Sequence, residues 1–236
     1  GAMQGVLPSY TPLGMASLLP HKTIEYSPSY DVLVDGKACS STEQREAILK
    51  EYKINSKCVQ FDSMKTMKQA DLRSIFTGQD VVYIYHDTID EASHTSDTAV
   101  FAACDKAISE LKNLVRIIVN EFGGTNILIT ADHGFLYTYS PLTEDDKVDK
   151  SSFNGMDVEY GRRYAIMQKG AQPNYLLPVR FLGGNTEYDG FAPRESIRIK
   201  MNGGGLNFVH GGISLQEMVV PVIEYHYLRN DSMEYK

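Results

Sequence analysis

No stretch of about 18 apolar residues occurs in the sequence, so nothing in it reads as a transmembrane helix. Basic charge is in the minority: 23 Lys+Arg stand against 30 Asp+Glu, a formal net charge of −7. That shortage argues against a protein that coats nucleic acid through a broad basic surface, though a site made positive by bound metal stays open. Cysteine is scarce too. Cys39, Cys58 and Cys104 are widely spaced, odd in number and form no CxxC pair. This fits buried or half-buried thiols in a reducing cytoplasm rather than a disulfide scaffold. No signal-peptide pattern opens the chain, and Gly1-Ala2-Met3 reads as an expression scar.

What is present is the composition of a folded protein. Hydrophobic residues make up 42% of 236 residues and charged residues 22%, which excludes wholesale disorder. The length suits one large domain or two small ones. Apolar runs alternate with helical patterns. Asp31–Val34 and Val59–Phe61 read as short strands, and Val81–Tyr85 as a strand buried in a parallel sheet. Thr42–Tyr52 reads as a helix capped by Ser41, with Gln44 placed for a capping box, and Ser63–Phe76 as a second helix. The longest helix is expected over Thr98–Phe122. Val100, Ala103, Ala107, Leu111, Leu114, Ile117 and Ile118 share one face, and Gly123-Gly124 form the stop. Asn126–Thr130 follows as another buried strand, so Asp80–Thr130 reads as a strand–helix–strand unit with a parallel pair.

Beyond Gly134 the polar stretch Leu142–Asp157 reads as an exposed loop. Strand-like runs follow at Arg163–Gln168, Tyr175–Phe181, Ser196–Met201 and Val219–Tyr227, with a short helix at Leu215–Met218. The expectation is one α/β domain over residues 4–236, with a strand-rich insertion in its C-terminal half.

Chemistry concentrates where apolar runs meet polar residues. His86, Asp87, Asp90 and His94 follow the run at Tyr83–Tyr85; Asp132 and His133 follow Ile127–Thr130; His210 follows Phe208-Val209. Ligands in open α/β sheets bind beyond the carboxyl ends of strands, which would bring these groups to one rim. Imidazole and carboxylate are the donor set of hydrolytic zinc and manganese sites, and adjacent Asp132 and His133 would serve two cations about 4 Å apart. Taken singly, each has a plain structural explanation: a helix cap, a local Asp–His pair, an exposed turn. Thr11 followed by Pro12 looks like an N-cap with proline at the first helical position. A hydroxyl there also stands where amides favour a phosphate, and a nearby metal would make it a nucleophile.

The strings PSYTPLGMASLLP, YIYHDTID, ITADHGFLY and HGGISLQEMVVPVI, in that order, resemble the PglZ family of bacterial BREX phage-defence systems. That family belongs to the alkaline phosphatase superfamily, and the resemblance spans about Pro8 to Glu224. It implies a three-layer α/β sandwich with a central, largely parallel sheet. It implies a phosphohydrolase, a mono- or diesterase or a nuclease, with Thr11 as nucleophile and two divalent cations, zinc or manganese. Asp90, His94 and His210 match the ligands of one cation, with Asp87 as fallback; Asp132 and His133 match those of the other. Ser93 stands where several relatives carry Gly. The superfamily's opening strand, whose Asp completes the second site, is not matched here, so a truncated chain with a weakened second site is expected. Arg162 and Arg163 are the candidates for substrate contact. Implied partners are a phosphate ester such as DNA and other BREX components, the PglX methyltransferase and BrxB among them. The competing reading is a scaffold of the defence complex with a vestigial metal site.

Overall fold

The computed structural model describes residues 1–93, 99–140, 142–179, 187–202 and 207–228. In chain order the first elements are β1 (Ala2–Gln4), α1 (Thr11–Ser17), β2 (Ile24–Tyr26), β3 (Val32–Val34), β4 (Lys37–Ala38) and α2 (Thr42–Tyr52). Then come β5 (Ser56–Gln60), α3 (Phe61–Lys65), α4 (Gln69–Phe76), β6 (Val81–Tyr85), α5 (Thr88–Ser93) and α6 (Val100–Phe122). Seven strands follow: β7 (Asn126–Ile129), β8 (Leu136–Tyr137), β9 (Lys147–Val148), β10 (Val158–Tyr160), β11 (Ala165–Gln168), β12 (Leu176–Val179) and β13 (Tyr188–Pro193). The last elements are β14 (Arg198–Ile199), β15 (Phe208–Val209), α7 (Leu215–Met218), β16 (Val219–Pro221) and β17 (Ile223–His226).

The fold is α/β, with parallel and antiparallel pairings. β5 and β6 run parallel, in register from Ser56 opposite Val81 to Gln60 opposite Tyr85. The strand-rich part is a four-stranded antiparallel sheet in the order β10-β11-β13-β12. The expected direct pairing of β6 with β7 does not appear among the described residues. β7 pairs antiparallel with β17 instead, Ile129 opposite Ile223. Nor is β7 buried throughout: Leu128 is 63% exposed, as alternation along a half-covered strand requires.

Local chemistry explains the helices. Ser41 Oγ accepts the Gln44 N–H at 3.1 Å while Gln44 Oε1 accepts the Ser41 N–H at 3.1 Å, so both ends of the capping box are closed. The expected single helix from Ser63 to Phe76 is two, α3 and α4. The break falls at Thr66–Lys68, where Lys68 turns extended as the cap of α4. α6 buries Val100, Ala103, Ala107, Leu114, Ile118 and Val119, and ends at Gly123, whose φ of 72° is the left-handed stop.

Three apolar clusters hold the elements together. Leu13 and Ala16 of α1 pack with Ile24, Tyr26, Val32, Val34 and Ile48 under the β2–β4 sheet. Val59, Met64, Ile75, Leu114 and Ile118 join β5, α3, α4 and α6. Val148, Phe153, Met167, Leu176, Phe191 and Ile199 form the third. Membership of Val148 and Phe153 in it corrects, at these two residues, the expectation of an exposed loop over Leu142–Asp157. Two apolar anchors tuck that polar segment against the antiparallel sheet, each such side chain contributing roughly 1.5–3 kcal/mol. Ala2–Gln4, which include part of the presumed scar, pair antiparallel with Val219–Pro221. Cys39 and Cys58 are buried and Cys104 half-buried, all as free thiols. Among the described residues no helix is long and apolar enough to cross a membrane.

Candidate functional site

Tyr10 fixes the start of α1. Its ring is 3% exposed, stacks on Tyr164 at 4.2 Å between centroids, and shares a 2.8 Å hydroxyl–hydroxyl hydrogen bond with Tyr26. Tyr10 is extended and takes the cap position, so Thr11 is the first helical residue and Pro12 the second. The expectation that Thr11 caps the helix is therefore corrected. Its hydroxyl lies 2.9 Å from His133 Nε2.

His133 sits on the turn that leaves β7. The turn passes close under α1: a Cβ at Gly14 would stand 2.5 Å from the Asp132 carbonyl oxygen, so only glycine permits the approach. His133 Nδ1 lies 2.9 Å from the Gly134 carbonyl oxygen. A carbonyl only accepts, so Nδ1 donates to it; in the tautomer with its one proton on Nδ1, Nε2 would accept the Thr11 hydroxyl proton. The His210 ring, following β15, stacks on His133 with centroids 4.0 Å apart and planes 8° apart. His210 Nε2 is 3.8 Å from Asp90 Oδ1 of α5, and His133 Nε2 is 3.4 Å from Asp132 Oδ2. Thr11, Asp90, Asp132, His133 and His210 thus form one cluster, drawn from 200 residues of sequence.

The electrostatics of the cluster are those of donors held away from water. Burial pushes the Asp132 carboxyl up, against the opposing pull of His133, and Asp90 adds to the rise. Burial, with His133 beside it, pulls His210 down to about 4, against the attraction of Asp90. The ring keeps 26% of its side-chain surface open, and water there moderates the effect. His210 Nδ1 is buried with no hydrogen-bond partner among the described residues. Burial disfavours the charged form of both groups: it keeps the His210 imidazole in the neutral form that a cation binds, and a cation would offset the penalty on the Asp132 carboxylate. The 3.4 Å between His133 Nε2 and Asp132 Oδ2 is the edge two ligands make in a tetrahedral zinc site with bonds of about 2.0–2.1 Å. The donors fit a borderline divalent cation in these pairs, although among the described residues no three His, Cys, Asp or Glu groups form a ready-made metal-ligand set.

Other expected residues fare differently. His94 lies outside the described residues. Asp87 is exposed, and its recorded bond is a backbone one: its carbonyl accepts the Glu91 N–H at 2.9 Å. His86 turns toward α6, where Glu110 lies 2.9 Å from its Nε2 and also accepts the Thr88 hydroxyl at 2.8 Å. Arg163 is corrected. It has no exposed surface, and its guanidinium grips Glu217 through Nε at 3.0 Å and Nη2 at 2.9 Å, with the Ile197 carbonyl as a third acceptor. A cation so enclosed cannot meet a substrate. Arg162 reaches the Met201 and Asn202 carbonyls, both at 3.4 Å.

Two residues beside the site escape a sequence reading by donor type. Ser9, 1% exposed, donates to the Gly212 carbonyl at 2.6 Å, tying the segment before Thr11 to the turn after His210. Glu217, 0% exposed, accepts the Gly212 N–H at 2.9 Å. The signal for Glu217 was available: Ser214 three residues earlier makes a capping box, and Ser214 Oγ donates to Glu217 at 2.7 Å.

The site thus sets a hydroxyl against an imidazole, with carboxylates and a second imidazole beside it, on an α/β fold. The family model for the BREX system PglZ alkaline phosphatase-like domain matches residues 1–225. The chain belongs to the PglZ family. It is 39% identical over 237 residues to the alkaline phosphatase-like protein PglZ of Bacillus cereus (strain H3081.97), and 36% identical over 236 residues to the alkaline phosphatase-like protein BrxZ of Escherichia coli O9:H4 (strain HS). Each match covers 98% of this chain, and the chain spans 27% of the length of either relative. Among solved structures, it is similar to a phosphonoacetate hydrolase from Sinorhizobium meliloti 1021 in complex with phosphonoacetate. The TM-score is 0.46 at 13% identity, over 97% of this chain and 81% of that one.

Proposed function

We propose that this domain hydrolyses phosphate esters, with Thr11 as nucleophile. The observation that carries the reading is the 2.9 Å hydrogen bond between Thr11 Oγ1 and His133 Nε2. A free threonine hydroxyl is almost wholly protonated at neutral pH, and a base within hydrogen-bond reach is what activation requires. Divalent cations, zinc or manganese, held by Asp90 with His210 and by Asp132 with His133, would neutralise the phosphoryl oxygens and lower the hydroxyl pKa.

The chain's own part is positional. Tyr10 and Gly14 set α1 against the 132–133 turn, which puts Thr11 Oγ1 beside His133 Nε2; without a cation the one lone pair of that nitrogen can accept the hydroxyl proton, and with a cation bound to it the cation would instead lower the hydroxyl pKa. In-line attack forms the bond from Thr11 Oγ1 to phosphorus and breaks the bond to the leaving alcohol, which departs with a proton. Water then attacks the phosphothreonine, releasing phosphate or a phosphomonoester and restoring the hydroxyl. Membership of the PglZ family supports a role in a BREX system, and DNA as a diester substrate with other BREX components as partners is proposed along with it.

Hydrolysis of nitrophenyl phosphomonoesters and phosphodiesters by full-length protein, with added zinc or manganese and with chelator, tests the reading. Chelator-sensitive turnover with a phosphate-labelled Thr11 trapped at low pH is expected. Absence of turnover on both esters overturns it in favour of the scaffold role.

A further inference from the structure

Glu217 does more than neutralise a buried arginine. Its carboxylate accepts the Gly212 N–H at 2.9 Å and the Ser214 N–H at 3.1 Å, on the turn that follows His210. Its backbone carbonyl accepts the Gly134 N–H at 2.8 Å, on the turn that carries His133. One residue therefore holds both histidine-bearing turns, through two different groups. The packing is tight enough to leave no play. A Cβ at Gly212 would stand 2.6 Å from Glu217 Oε2, and a Cβ at Gly134 would collide with the Gln216 carbonyl. The Arg163 fork sets the plane of the carboxylate, with Nε on Oε1 and Nη2 on Oε2. Gly212 is also held through its carbonyl, which accepts the hydroxyl of Ser9, two residues before Thr11.

We infer that Glu217, oriented by Arg163, is the positioning residue of this site, fixing the stacked His133 and His210 rings against Thr11 by clamping the Gly212 and Gly134 peptides from α7. This deepens the hydrolase reading and rests on it for the purpose of the clamp; the geometry it predicts is measurable without turnover. Among the described residues no hydrogen bond joins Glu217 to Thr11 or to either imidazole; beyond its electrostatic pull on His210, it acts through the two turns. Groups that orient reacting residues in this way typically change activity by roughly 10–100-fold when removed.

The test compares two double variants of the full chain that both remove the buried charges and so leave no unpaired ion. Arg163→Met with Glu217→Gln keeps a side-chain oxygen for the Gly212 N–H; Arg163→Met with Glu217→Leu does not. The readout is the imidazole nitrogen spectrum under alkaline conditions, where neutral rings report their tautomer. The Gln variant is expected to keep the wild-type signature of His133, protonated on Nδ1 with Nε2 as acceptor. The Leu variant is expected to show mixed tautomers at His133 with native far-ultraviolet circular dichroism. Where turnover is measurable, the Leu variant should fall roughly 10–100-fold in kcat with KM little changed, and the Gln variant less. An unchanged His133 signature in the Leu variant overturns the inference. So does equal loss in both variants, which would assign the effect to the ion pair alone. Unfolding of the Leu variant also counts against it, since the contact would then serve the whole fold. Loss of turnover in wild type would sink the hydrolase reading but leave the spectral result standing.

Discussion

Gly14 and Asp132 meet backbone to backbone, so closely that a methyl group on Gly14 would stand 2.5 Å from the Asp132 carbonyl oxygen and 2.9 Å from its carbonyl carbon. The helix carrying Thr11 and the turn carrying His133 are in register because of that contact. Gly14→Ala should therefore separate them. Alanine is favoured over glycine in a helix by about 1 kcal/mol, so a fold limited only by helix propensity would gain stability. The expected outcome is the opposite, a lowered melting temperature together with a fall in ester hydrolysis, read by thermal denaturation and a nitrophenyl ester assay.

If Thr11 is the nucleophile as proposed, Thr11→Ala should abolish attack while leaving the fold intact, because Thr11 is only partly buried and among the described residues its hydroxyl bonds only to His133. Turnover should fall by several orders of magnitude, and Thr11→Ser should retain part of it. Full activity in the Ala variant would point to water as the attacking group.

The Arg163–Glu217 pair makes stability depend on pH. Burial pushes the Glu217 carboxyl up, but the Arg163 guanidinium and the Ser214 hydroxyl and N–H more than reverse this and hold it below the ordinary value. A carboxyl lowered in the folded state stabilises above its unfolded pKa of about 4.3, and that stability is lost as pH falls through the lower folded value. Denaturant midpoints should therefore fall on acidification below about pH 4.3, and fall less in the Arg163→Met, Glu217→Gln double variant. Breaking the pair on one side only, by Glu217→Gln, strands a charge with no exposed surface and should cost about 3–5 kcal/mol in denaturant unfolding.

Zinc or manganese should raise the melting temperature by mass action, by the equivalent of about 2.7 kcal/mol at 100 times the dissociation constant, with chelator removing the gain. His210→Ala and Asp90→Asn should shrink the increment. An equal increment in wild type and both variants would place the cation elsewhere.

Ser41→Ala serves as the control away from the site. It opens the capping box of α2 and should cost about 1 kcal/mol while leaving ester hydrolysis unchanged.

Much of the molecule was legible in the sequence, for identifiable reasons. α2 and α7 fall on the expected residues because cap and periodicity agree there, and β6 because five consecutive apolar residues admit one reading. The polar stretch from Leu142 misled because the two residues that anchor it, Val148 and Phe153, are outnumbered by charges. The parallel partner of β6 was misassigned because strand pairing is decided across the sheet and not along the chain. At the candidate site, donor type singled out Thr11, Asp90, Asp132, His133 and His210, which the structure brings together. It failed for Arg163, since a basic residue next to Arg162 reads as surface until its carboxylate partner, 54 residues on, is seen.

The Tyr10 ring, wedged between Tyr164 and Tyr26, has one further implication. The residue next to Thr11, the proposed nucleophile, is moored in the protein interior, which holds the start of the helix in place. On the hydrolase reading, discrimination among esters would then fall to how well each one brings its phosphorus in line with a fixed oxygen.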